Sequence, residues 1–261
     1  MKKTLITKVL TILTACGIAV SLTACGDSGQ TGAPSNQQSP VTMSQAFGAK
    51  GIWFDAECPG KNESIGSVLV FDGKGNVTRY NTVNLTFKDL KGLSDEEIIS
   101  AARKMDKEEF ERVKGIHMEG LLESIELFRE YPDSSEALAR VEKAYSASEA
   151  VQYAEPRPLP YALHVETDST GNATAKETLI VPIRAVENHD EHGEYDLDGE
   201  WFAYGDRELE FSTEDFSSTG NLAVYDSQYN GFPSAGLWTS VNESFMGFAV
   251  DTPDAKGVEV D

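Results

Sequence analysis

The chain has 261 residues, with 22 basic and 43 acidic side chains, a formal net charge of −21 and a hydrophobic fraction of 40%. That is enough apolar material for a packed core, so disorder throughout is excluded. A surface this acidic repels phosphate backbones and anionic headgroups, which argues against nucleic-acid binding and against membrane attachment through a basic patch.

Lys2, Lys3 and Lys8 make a cationic start, and no acidic residue precedes Asp27. Val9 to Leu22 is a mostly apolar stretch of 14 residues. A helix of that length rises ~21 Å, short of the ~30 Å of a bilayer's hydrocarbon, so the stretch reads as the apolar region of a signal peptide and not as a resident span.

Next comes Leu22-Thr23-Ala24-Cys25-Gly26, an aliphatic residue, two small residues, a cysteine and a glycine. This resembles the lipobox of bacterial lipoproteins. The resemblance implies cleavage between Ala24 and Cys25, with diacylglycerol on the Cys25 thiol as the membrane partner. The protein would then be lipid-anchored on the extracytoplasmic face of the cell membrane. A second match, Leu13-Thr14-Ala15-Cys16-Gly17, is separated from Lys8 by only four residues, too few for an apolar region of ~7–15 residues. An ordinary secretory cleavage site with an incidental cysteine is the alternative. Loss of residues 1–24 and their three lysines would bring the formal charge to −24.

With Cys25 acylated, Cys58 is the only thiol left, so no intrachain disulfide is available and the exported domain must fold on its core alone. That habit points to Gram-positive bacteria. Cys58 stands in Glu57-Cys58-Pro59-Gly60. A carboxylate beside it and no local cation make it a passive loop thiol and not a nucleophile.

Residues 26–40 hold no large apolar side chain and are dense in Gly, Ser, Gln and Pro, the composition of a flexible tether with a reach of ~20 Å. The division expected is a signal peptide over 1–24, a lipidated cysteine and tether over 25–46, and a single domain over 47–261. Gly51-Ile52-Trp53-Phe54 reads as a first strand. Ser67–Phe71 and Val77–Tyr80 bracket Asp72-Gly73-Lys74-Gly75-Asn76, so they read as a hairpin whose turn uses residues tolerant of positive φ. The Gly-Lys-Gly lacks the spacing and the following hydroxyl of a phosphate-binding loop.

At Ser94 the pattern changes. Ser94 with Glu97 makes a capping box, and Ile98, Ala102, Met105 and Val113 follow helical spacing. The spacing resumes after Gly115 with Met118, Leu121, Leu122, Ile125 and Phe128, and Pro132 stops it. Asp133 with Glu136 opens another helix towards Tyr153. Two to three amphipathic helices over 94–153 follow. Three prolines in residues 155–160 close this block, and strands resume: 161–166 pairing with 177–181 across Gly171-Asn172, then 199–211, 221–226, 236–241 and 245–250. The fold class expected is α+β, an antiparallel β-sheet or partly closed β-barrel with a two- to three-helix insertion.

Chemistry is sparse. The densest polar segment, 187–200, offers His189, His192, Glu194, Asp196 and Asp198 as candidate metal ligands. Two histidines three apart suggest zinc on a helix, but the Gly, Asn and Asp content opposes a helix there. A calcium loop starting at Glu194 has acids at positions 1, 3 and 5 and Gly at 6. Its twelfth position would be Gly205, where a bidentate acid is required, so only a looser calcium loop survives beside the default of a solvated acidic loop. His117 and His164 are single and read as structural. No Gly-x-Ser-x-Gly motif is present. Trp53, Trp201 and Trp238, with Tyr195, Tyr204, Tyr225 and Tyr229, are core aromatics or, alternatively, a face for stacking sugars or peptides.

Gly51-x-Trp53 is similar to the opening of lipocalin-like barrels, which implies an antiparallel barrel with an internal cavity; the helical insertion departs from that pattern. Through Gly51-Ile52-Trp53, the Phe71–Thr78 turn and the segment Asp251–Gly257, the domain resembles surface lipoproteins of Gram-positive bacteria. This implies an architecture and a location, and no activity. The function expected is a lipid-anchored binding or interaction module with an extracellular protein or glycan partner. The competing expectation is a cell-envelope hydrolase, with calcium as its cofactor if it has one.

Overall fold

The computed structural model describes residues 39–189, 201–214 and 220–261. In chain order the elements are β1 (Val41–Thr42), α1 (Met43–Gly48), β2 (Lys50–Asp55), β3 (Ser64–Asp72), β4 (Asn76–Thr86), α2 (Asp95–Arg129) and, after a 3₁₀ turn at Pro132–Ser134, α3 (Ser135–Ala150). Then come β5 (Leu159–Pro160), β6 (Ala162–Thr167), β7 (Thr174–His189), β8 (Trp201–Thr213), β9 (Leu222–Val224), β10 (Ser227–Phe232), β11 (Leu237–Val241), β12 (Phe248–Ala249) and β13 (Glu259–Val260). The fold is α+β. Its largest sheet is wholly antiparallel, in the order β5-β4-β3-β2-β11-β10-β9; a second has the order β13-β6-β7-β8, and β1 pairs with β12. Neither large sheet closes on itself, so of the two forms expected the open sheet is the one adopted.

Period-two alternation sorts the side chains of the seven-stranded sheet onto two buried faces. Trp53, Leu69 and Phe71 point to one face. There they meet Phe47 of α1 and Leu163, Leu179, Val181 and Phe211 of the four-stranded sheet. Ile52, Phe54, Val68 and Tyr80 point to the other, against Ile98 and Ala102 of α2. The molecule is therefore three layers thick, which explains why Val68-Leu69-Val70-Phe71 is apolar without interruption: the strand is covered on both sides. A third cluster of Leu121, Ile125, Val141 and Ala144 joins the far half of α2 to α3.

Local chemistry accounts for the element ends. Ser94 Oγ accepts the amide of Glu97 while Glu97 Oε2 accepts the amide of Ser94, the reciprocal box that starts α2. The β3–β4 turn is organised by Asp72, whose carboxylate accepts the amides of Lys74 and Asn76 and the Asn76 side chain; Gly73 and Gly75 stand at φ +71° and +90°. Those hydrogen bonds hold the Asp72 carboxyl below its ordinary value.

α2 runs through Gly115 and Gly120 for 35 residues, about 52 Å, and with α3 makes two helices, within the two to three expected. Two expectations need correction. The domain does not begin at residue 47: Val41, Met43 and Phe47 are almost fully buried, so α1 belongs to the core. α3 takes Ser134 as its N-cap in place of Asp133. Strand β10, which sequence patterning passes over, pairs with both β9 and β11.

Candidate functional site

Where the helical insertion meets the two sheets, the packing leaves a cleft of about 420 Å³. Its walls come from β4 (Arg79, Asn81), α2 (Asp106, Phe110), the proline-rich segment after α3 (Tyr153, Arg157), β7 (Arg184) and β8 (Tyr204). Pro182 explains the opening. β6 pairs with β7 only as far as Ile180, so from Pro182 onward β7 has β8 on one side and an unpaired edge on the other. A proline lacks the N–H that a further strand would need. The β7–β8 ribbon thus overhangs the cleft.

Each acid in the wall already has partners. Asp106, 7% exposed, accepts the Asn81 amide at 2.9 Å and the Tyr153 hydroxyl at 2.8 Å. Burial raises its carboxyl above the ordinary aspartate value, opposed by those two hydrogen bonds and by the Arg79 charge. Burial is also the main cause that pushes the Tyr153 and Tyr204 hydroxyls up; the Asp106 hydrogen bond adds to it at Tyr153. Glu109 is held by Arg112 through two 2.6 Å contacts, and Glu155 by Arg103 at 2.6 Å.

The cations are differently placed. Four of the eight arginines, Arg79, Arg157, Arg184 and Arg207, line this cleft or the hollow adjoining it. Arg79 donates from Nη1 to Asn81 Oδ1, but its Nε is buried without a hydrogen-bond partner among the described residues. Burial pulls its guanidinium below the ordinary arginine value. Arg184 lies over the Tyr204 ring, 5.1 Å from its centroid, and Tyr204 stacks on Phe110 at 6.0 Å with an interplanar angle of 8°. Among the described residues, no carboxylate lies within 4.0 Å of the Arg157 or Arg184 guanidinium. The described lining holds no Ser, Cys, His or Lys side chain. The described wall thus offers cationic and aromatic groups for recognition.

The sequence candidates fall elsewhere. His192, Glu194, Asp196 and Asp198 lie outside the described residues, as do Cys25, Ala24 and Tyr195. His189 ends β7, paired with Trp201 in backbone register. Among the described residues no group of three or more His, Cys, Asp or Glu side chains is placed to hold a metal ion, and no helix is long and apolar enough to cross a membrane. His117, on α2, faces α3, its Nε2 3.2 Å from Ser148 Oγ and its ring stacked on Phe202. His164 contacts Asp261 at 2.7 Å. Cys58 is exposed.

The described aromatics do not form one face; Tyr195 and the Trp201 side chain lie outside the described residues. Trp53, Trp238 and Tyr229 are in the core, and Tyr225 lies at the surface beneath Lys61 and Lys91. Among the described side chains of those named, only Tyr204 reaches the cleft. Sequence reasoning missed the arginines because they stand at positions 79, 157, 184 and 207, with no spacing that marks a motif. The one available signal is arginine among prolines and apolar residues in an otherwise acidic chain.

No protein-family model, no curated protein and no solved structure matches this chain.

Proposed function

We propose that the protein is a lipid-anchored binding module displayed on the extracytoplasmic face of a Gram-positive cell membrane. Support for the anchor comes from Leu22-Thr23-Ala24-Cys25-Gly26 after a cationic start and a short apolar stretch, followed by a linker without large apolar residues before the core begins at Val41. Two acyl chains on Cys25, at ~0.8 kcal/mol per buried methylene, give stable anchoring, and the linker lets an acidic body stand off an anionic surface. The observation that carries the binding half is the cleft, whose acids are occupied by internal partners while Arg157 and Arg184 in its wall have no carboxylate within 4.0 Å among the described residues.

The test of the anchor is Cys25→Ala in the full chain, followed by membrane fractionation and metabolic labelling with palmitate. The native chain partitions with membranes and takes the label; the variant is released or accumulates as unprocessed precursor. A variant that is cut normally and still retained by the membrane would refute the reading.

A further inference from the structure

We infer that the cleft binds a small organic anion, its carboxylate or phosphate group held by Arg79, Arg157 and Arg184 and its flat apolar body resting on the Tyr204–Phe110 stack. This rests on the binding-module reading and deepens it by naming the ligand's chemistry.

Charge is the first argument. In a chain of net charge −21, three arginines, Arg79, Arg157 and Arg184, share one cavity with no carboxylate within 4.0 Å of them among the described residues. Glu109 and Glu155 are paired with arginines of α2, which leaves Asp106 against Arg79, Arg157 and Arg184, so the described wall carries an excess of positive charge. The excess negative charge of the remaining surface is screened over a Debye length of about 10 Å, whereas ligand and guanidinium meet in contact.

Geometry is the second argument. Arg184 lies 5.1 Å from the Tyr204 ring centroid and has no carboxylate within 4.0 Å among the described residues, so its guanidinium can fork onto two oxygens of a ligand. Arg79 adds a third guanidinium to the same wall, its Nη1 held by Asn81 Oδ1, so that its charge is fixed in place beside the other two. The parallel Phe110 and Tyr204 rings provide an apolar platform beside these donors. A volume of about 420 Å³ lies within the range of small-molecule sites. A neutral ligand would leave the cations unmatched; an anion without an apolar body would leave the platform bare.

The full-length chain in detergent should be titrated with three probes that share one ring, 4-fluorobenzoate, 4-fluorophenyl phosphate and 4-fluorobenzamide, observed by fluorine NMR. At least one acid binds saturably and at least about tenfold more tightly than the amide, as expected for charge-assisted hydrogen bonds. The ratio between the acids says whether carboxylate or phosphate is preferred. Arg157→Ala with Arg184→Ala, both exposed positions whose loss leaves the core intact, weakens the acid by at least about tenfold and leaves the amide unchanged. Circular dichroism verifies that the variant folds. Acids that bind no better than the amide, or that bind the double variant as well as the native chain, overturn the anion assignment and leave a binding module standing. Absence of saturable binding by all three overturns both; Cys25→Ala fractionation judges the anchor separately.

Discussion

Replacing Glu177 by glutamine makes the protein more stable at neutral pH, and by an amount that grows with pH. Glu177 lies on the inner face of β7, fully buried between Val165 of β6 and Thr213 of β8. Its Oε2 accepts the Asp251 amide at 2.8 Å, and its Oε1 is buried without a partner among the described residues. Asp251 is itself buried, its carboxylate accepting the amide and hydroxyl of Ser44, each at 2.6 Å. The pair fastens the C-terminal segment and α1 to the four-stranded sheet. Burial, aided by the Asp251 charge and opposed by the Asp251 amide, pushes the Glu177 carboxyl from 4.5 up to about 8.

The folded state therefore keeps a proton that the unfolded chain releases above pH 4.5. Its stabilising contribution is complete below 4.5 and is lost as pH rises to about 8. At about 1.4 kcal/mol per pH unit, the loss is about 3 kcal/mol at pH 7 and about 5 kcal/mol once the folded-state group ionises. Glutamine keeps an acceptor for the Asp251 amide and has no charge to bury. Urea unfolding followed by tryptophan fluorescence, at pH 5, 6, 7 and 8, should show the two proteins nearly equal at pH 5. From there the variant should gain about 1.4 kcal/mol per pH unit on the native protein, levelling near pH 8. A difference that stays constant across this range, or a native protein that gains on the variant as pH rises, refutes the reasoning.

Two further outcomes test the packing and the insertion. At Gly231 a Cβ would fall 1.9 Å from the Leu237 carbonyl oxygen and 2.8 Å from Trp238 Cα, backbone atoms that cannot swing aside. Gly231→Ala should then cost about 3 kcal/mol or more by chemical denaturation, while Gly51→Ala, which meets nothing within 4 Å, should shift stability by less than about 1 kcal/mol. Ser94→Ala removes the acceptor for the Glu97 amide and should cost about 1 kcal/mol by the same measurement; an unchanged midpoint would mean that the capping box contributes nothing to α2.

Much of the fold was legible because its signals are local. The Asp72–Asn76 turn is written in residues that accept positive φ, and alternating side chains on both strands set the hairpin register around it. Ser94 and Glu97 announce the start of α2 within four residues. The misreadings arise where distant contacts outvote a local preference. Met43 and Phe47 follow a polar stretch and look like its tail until Trp53, Phe71 and Phe232 surround Phe47.

The cleft belongs to the second kind throughout. From the sequence alone come the acidic surface, the α+β class, the hairpin, the helical insertion and the lipobox-like segment at Cys25, each carried by composition or by neighbours within a few residues. Only the tertiary structure decides that Arg79, Arg157 and Arg184 share a cavity, that Asp106 spends its oxygens on Asn81 and Tyr153, and that Glu177 is buried beside Asp251. Those groups are separated by tens of residues or more, and what sets their charge and availability is burial and partnership, which exist only once the layers have packed.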